Sequence, residues 1–201
     1  GLEPIVLHAL TMLVWLWVCT RRVGAMLATA ATAVGWLSTV FVGFALAPAV
    51  EIDPRLTTSV LMMLILGAAP LAARAFPAQA APPMDWRLLL AASSGGLLWL
   101  AGLAWGLLSA TGGGWSWAMY RDSTMDLWEM RGMVQSGGLG PELGSANIQP
   151  LTHAVSASLV SPRASVAASP EVASAFLTGH GYHWTAVIVL STLLAGLVAH
   201  R

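Results

Sequence analysis

Charged side chains are so sparse in this chain that they divide it into long neutral runs, and runs of that length belong in a lipid bilayer. A hydrocarbon core of about 30 Å is crossed by roughly 20 apolar helical residues. Five runs approach or exceed that length: Pro4 to Thr20, Val23 to Val50, Leu56 to Ala73, a stretch from just after Arg87 to about Ala110, and Trp184 to Ala199. With 57% hydrophobic and 9% charged residues, the composition excludes a soluble globule. The expected fold class is all-α: a polytopic helical membrane protein of about five transmembrane helices, with a long external loop carrying short interfacial helices. Its expected parts are a three-span N-terminal bundle (1–74), a cytoplasmic linker rich in Ala and Pro (75–87), a fourth span (88–110), an external loop with amphipathic helices (111–183) and a fifth span (184–201).

The polarity of this arrangement follows from arginine. Arg21, Arg22, Arg74, Arg87 and Arg201 fall on one side of a five-span layout, while Glu3, Glu51 and Asp53 fall on the other. The positive-inside rule makes the arginine side cytoplasmic, which leaves the amino terminus and 111–183 outside a cytoplasmic membrane. Arg55 is the exception, with Glu51 and Asp53 beside it. A cleavable signal peptide is disfavoured for the first run, because its positive charges follow the apolar core and no A-x-A-like site precedes them. Net charge is zero, so there is no basic field to hold nucleic acid. The single cysteine, Cys19, cannot form an intrachain disulfide or a CxxC metal site.

Chemistry is expected in 111–183, which holds Arg121, Asp122, Asp126, Glu129, Arg131, Glu142, Arg163 and Glu171. Ser123 to Gln135 reads as a helix, capped by Asp122 or Ser123 and ended by Gly137 and Gly138. Leu127, Met130 and Val134 form its apolar face. Asp122, Asp126 and Glu129, spaced i, i+4 and i+7, share another face and make an electronegative ridge. A solvated face on an interfacial helix is the plain explanation of that ridge. The functional one is a site for Mg²⁺ or Mn²⁺, which bind one or two carboxylates together with substrate phosphates; Asp122 and Asp126 can supply them. Downstream, Pro150 to Val160 is a weakly apolar helix with His153 near its start, and Ser169 to Gly179 a further short one, separated from the last span by Gly179 or Gly181. His8 is expected to be packed or at a span end. His180 and His183 have the spacing of a metal pair, but no Cys or third His lies near them in sequence. No Walker loop, Rossmann fingerprint, G-x-S-x-G elbow or H-E-x-x-H is present.

The stretch YRDSTMDLWEMRGMVQSGG resembles the external loop of bacterial integral membrane glycosyltransferases of the GT-C class, in particular large uncharacterised polytopic members. In that class an acidic residue shortly after a span leads into a short helix with a polar residue four positions on, then an arginine, then a glycine. Asp122, Asp126, Arg131 and Gly137 occupy those places, although Asp126 stands where many such proteins have His. IQPLTHAVSASL is similar to the juxtamembrane helix that follows, with His153 at a polar position. The resemblance covers roughly Leu88 to Ala199. It implies transfer of a sugar from a polyprenyl-phosphate donor to an external acceptor in the cell envelope. Asp122 and Asp126 would be the catalytic carboxylates or metal ligands, and Arg121, Glu129, Arg131 and His153 would contact substrate. It also implies that this is the amino-terminal part of a longer chain, inactive alone, whose remaining helices complete a groove for the lipid. The partners so implied are membrane lipid, the lipid-linked donor and those further helices. A non-catalytic membrane subunit or scaffold whose external loop docks a partner is the alternative. A transporter is disfavoured, since no run holds an intramembrane Asp, Glu or Arg.

Overall fold

The computed structural model describes residues 3–21, 23–75, 86–108, 121–139, 150–167 and 170–199. They form α1 (Glu3–Thr20), α2 (Ala25–Val50), α3 (Pro54–Ala75), α4 (Trp86–Ala92), α5 (Ser94–Leu108), α6 (Arg121–Gln135), α7 (Pro150–Ser158) and α8 (Pro170–Ala199). No strand occurs among the described residues. Four segments are long and apolar enough to cross a membrane: Glu3–Thr20, Met26–Val50, Pro54–Ala75 and Thr178–Ala199. Only 11% to 33% of each apolar window is buried inside the protein, so most of that hydrocarbon surface faces outward. Leu13, Val34, Leu64 and Leu71 are all exposed. Water penalises such a skin by about 25 cal/mol per Å², whereas lipid does not.

The helices owe their ends and joints to particular residues. Two buried hydroxyls of α2 and α3 bond back to their own helix: Thr32 Oγ1 donates to Ala28 O (2.7 Å) and Thr58 Oγ1 to Pro54 O (2.8 Å). At the end of α2, Glu51 adopts a left-handed φ of 54° and Ile52 N–H turns back to Ala47 O at 3.3 Å. Asp53 then caps α3, its Oδ1 accepting from Arg55 N–H at 2.8 Å, with Pro54 as the first helical residue. Inside α2, Pro48 has no N–H to offer the carbonyl of Phe44. That carbonyl accepts instead from Leu139 N–H at 3.1 Å, which docks the chain leaving α6 against α2.

Two places differ from expectation. The fourth run is not one helix: α4 and α5 meet at Ser93, whose hydroxyl bonds Leu90 O at 3.1 Å, and Gly95 and Gly96 follow as weak helix formers. Neither α4 nor α5 alone reaches spanning length, at 7 and 15 residues. Conversely, Gly179 and Gly181 do not interrupt the last helix, and α8 runs unbroken for 30 residues.

The chain divides into two compact units. One comprises Gly1–Ala9, Leu37–Leu64 and Trp115–His183. Its core includes Phe44, Met62, Met130, Met133, Val155 and Phe176, all fully buried. The other comprises Leu10–Trp36, Ile65–Gly114 and Trp184–Arg201, where Ala92 and Leu197 pack with Met26, Leu88 and Leu193.

Candidate functional site

α6 ends as its glycines predict. Gly137 (φ 81°) and Gly138 (φ 127°) turn the chain, and their amides return to Val134 O (3.2 Å) and Met133 O (2.9 Å). Met130, Met133 and Val134 are buried, Leu127 is half-buried and Trp128 points outward. The apolar stripe therefore lies inside the first unit, and the helix packs against α7. Ala154, Val155, Ser156 and Ala157 are completely enclosed, so α7 is an interior helix and whatever polar group it carries needs a partner.

His153 is that polar group, and its partners are the acids of α6. Its Nε2 lies 2.9 Å from Asp126 Oδ1 and 3.2 Å from Glu129 Oε2. The His153 side chain is 3% exposed, while those of Asp126 and Glu129 are 32% and 30% exposed, so the imidazole forms the floor and the carboxylates the rim. The spacing i, i+3 puts the two acids on one face one turn apart, where a single ring nitrogen reaches both. His180 of α8 closes the other side, with Nε2 3.7 Å from Asp126 Oδ2 and Nδ1 3.2 Å from the hydroxyl of Ser156. The His183 ring stacks on His180 at 6.4 Å between centroids. Gly179 makes this approach possible: a Cβ there would stand 2.6 Å from Ser156 O.

The expected ridge is thus a built cluster in part. Asp126 and Glu129 come together with His153, two carboxylates and an imidazole whose ligand atoms all lie within 4.8 Å of one another. Asp122 and Arg121 belong to α6, but their side chains lie outside the described residues, so the expected pairing of Asp122 with Asp126 does too. Glu142 lies outside them as well. Arg131 is engaged elsewhere, its Nε donating to Val166 O at 2.7 Å and its guanidinium lying 5.4 Å from the centre of the Trp128 ring. Gln135 reaches the same carbonyl at 3.3 Å, so α6 fastens the 161–167 segment. Arg55 holds that segment from a second direction, donating to Ser161 O (3.0 Å), Ala164 O (3.2 Å) and Pro162 O (3.4 Å) while paired with Asp53 at 2.7 Å. His8 is buried and hydrogen-bonded to the backbone of Ser158, a packing role.

Sequence reasoning did not place His180 or Ser156 in the site. The available signal was a polar residue inside an otherwise apolar helix, and it lacked a stated partner because Asp126 is distant in sequence. A cavity of about 320 Å³ in the first unit is lined by residues including Ile5, Leu159, Val160, Thr178, Gly179 and Tyr182, so its wall includes the chain neighbour of His180. No protein-family model, curated protein or solved structure matches the chain.

Proposed function

We propose that this chain is integral to the cytoplasmic membrane, with its amino terminus and 111–183 external and with α4 and α5 together making the crossing that follows α3, and that it serves in sugar transfer from a polyprenyl-phosphate donor to an external acceptor. The observation that carries the chemistry is the joining of Asp126 and Glu129 by the buried His153. A partly exposed carboxylate with one oxygen held by an imidazole is suited to take a proton from an acceptor hydroxyl. Asp126 is the residue assigned that role: His153 engages Oδ1, and Oδ2 is directed toward His180. The nucleophilic hydroxyl oxygen forms the new glycosidic bond as the sugar leaves its lipid phosphate, and the proton passes to Asp126. The 320 Å³ cavity, with its mixture of aliphatic and hydroxyl side chains, is the assigned place for the part of the donor nearest the phosphate.

Arg55 supports the orientation. Its charge is the exception to the arginine distribution, and it is 2% exposed and paired with Asp53, so it is spent within the protein and does not act as a topological signal. The test is genetic and chemical. Deleting the gene should make a polyprenyl-phosphate-linked sugar accumulate in the membrane lipids, as read by mass spectrometry; restoring the wild-type gene should clear it, and Asp126→Asn should not. A lipid fraction unchanged by deletion overturns the transferase and returns the choice to a scaffold.

A further inference from the structure

We propose that Asp126, Glu129 and His153 form a site for a divalent first-row transition cation, of the Mn²⁺ or Zn²⁺ kind, in preference to Mg²⁺. The argument starts from valence. An imidazole Nε2 carries at most one proton, yet this one stands within hydrogen-bond distance of two carboxylates, at 2.9 and 3.2 Å. One ring nitrogen therefore brings both carboxylates to a single point. A cation placed among the three atoms accepts a lone pair from each and balances the two negative charges with its own two positive ones.

Geometry agrees. With metal–ligand bonds of about 2.1 Å, neighbouring ligands at right angles lie about 3.0 Å apart. Both distances from His153 fall close to that edge, and all three ligand atoms lie within 4.8 Å of one another. The ligands also sit on rigid supports: two come from successive turns of α6, and the third from the enclosed helix α7. The buried imidazole and half-buried acids leave the outer side for water or a substrate oxygen, as in sites that keep an open position. Around them, His180 Nε2 approaches the second oxygen of Asp126, and Ser156 holds His180 Nδ1, the kind of outer support that orients a ligating carboxylate.

Donor type sets the preference. Mg²⁺ takes oxygen ligands and keeps its waters, while imidazole suits Zn²⁺ and its neighbours in the first transition row. This donor set differs from the all-carboxylate pair expected from sequence, since His153 and Glu129 enter it. Such an ion would supply positive charge next to a leaving phosphate, but the inference does not depend on sugar transfer. Ion binding by a chain that transfers no sugar leaves it standing and removes only the preceding proposal.

The experiment uses the purified chain in detergent, stripped with chelator and titrated separately with ZnCl₂, MnCl₂ and MgCl₂. Calorimetry should show about one Zn²⁺ per chain, X-ray absorption should show imidazole and oxygen ligation, and Mn²⁺ should give a protein-bound electron paramagnetic resonance signal that equal Mg²⁺ does not displace. Glu129→Gln, matched in shape, should weaken binding at least tenfold, and His153→Gln should do the same. Circular dichroism of the metal-free variants reports folding, so Glu129→Gln decides if His153→Gln does not fold. Absence of binding, binding unchanged in a folded Glu129→Gln, or equal displacement by Mg²⁺ overturns the proposal.

Discussion

The amide of Leu139 donates to the carbonyl of Phe44 at 3.1 Å, and it does so because Pro48 leaves that carbonyl without its intrahelical donor. A defect in one helix thereby becomes the docking point for the chain that leaves another. Gly138 is what allows the contact: its φ is 127°, and a Cβ there would run into Phe44 O.

Gly138→Ala is accordingly expected to lower stability by about 2 to 3 kcal/mol, through backbone strain and loss of the Leu139 bond. Thermal unfolding in detergent measures it. An unchanged midpoint would show that the Phe44 contact contributes nothing.

Arg55→Leu should cost about 3 kcal/mol, since it leaves Asp53 without its cation and removes the guanidinium from the carbonyls of Ser161, Pro162 and Ala164, of which Ser161 O keeps the Ala164 amide. Proteolysis offers a second readout, because the released segment should be cut between Ser161 and Val166 faster than in the wild type. A variant as protease-resistant as the wild type would contradict the clamp.

Gly179→Ala should push α8 away from Ser156 O and lengthen the bond between Ser156 and His180. Shift of the His180 ring signals in nuclear magnetic resonance, with helix content preserved, is the expected outcome. Gly67→Ala, where a Cβ would meet nothing within 4 Å, serves as comparison and should leave those signals nearer their wild-type positions.

For orientation, cysteines at Ser165 and Ala75 in a Cys19→Ser background should behave oppositely toward an impermeant reagent. Ser165 is exposed in the segment proposed to lie outside, and Ala75 ends α3 on the arginine-rich side. Labelling of Ala75→Cys alone in intact cells would invert the whole topology.

Between the two aspartates, Asp126→Asn should reduce sugar transfer about 10² to 10⁴-fold, the usual contribution of a general base. Asp122→Asn should cost less, because Asn caps a helix about as well as Asp. Transfer assays on both variants check the order; a greater loss for Asp122→Asn would return the catalytic role to the position favoured by motif resemblance.

How far these features are legible in sequence depends on the range of the interaction that produces them. Local ones can be read: Gly137 and Gly138 stop α6, Asp53 and Pro54 start α3, and apolar runs bounded by charge mark α1, α2 and α3. Gly179 misleads because its helix-weakening cost is a local property, whereas the benefit of fitting beside Ser156 O belongs to another helix. The same reason hides the site's composition. Asp126 and Glu129 are visible as neighbours on one face, but that His153 lies beneath both depends on how α7 packs against α6, and that His180 flanks Asp126 depends on α8. In sequence Arg55 is a charge on the wrong side, and only its carbonyl partners explain it.

The uninterrupted course of α8 carries a consequence for traffic. Its 30 residues span about 45 Å, longer than a hydrocarbon core of about 30 Å, and His180 stands near the start of the apolar portion that begins at Thr178. A side-chain cluster tied to that level of a membrane-spanning helix would meet headgroups before it meets bulk water. Under the proposed function a lipid-borne donor would arrive by lateral diffusion in a plane, so the rate of supply would be governed by its surface density in one leaflet, and dilution of the surrounding aqueous phase would leave it unchanged.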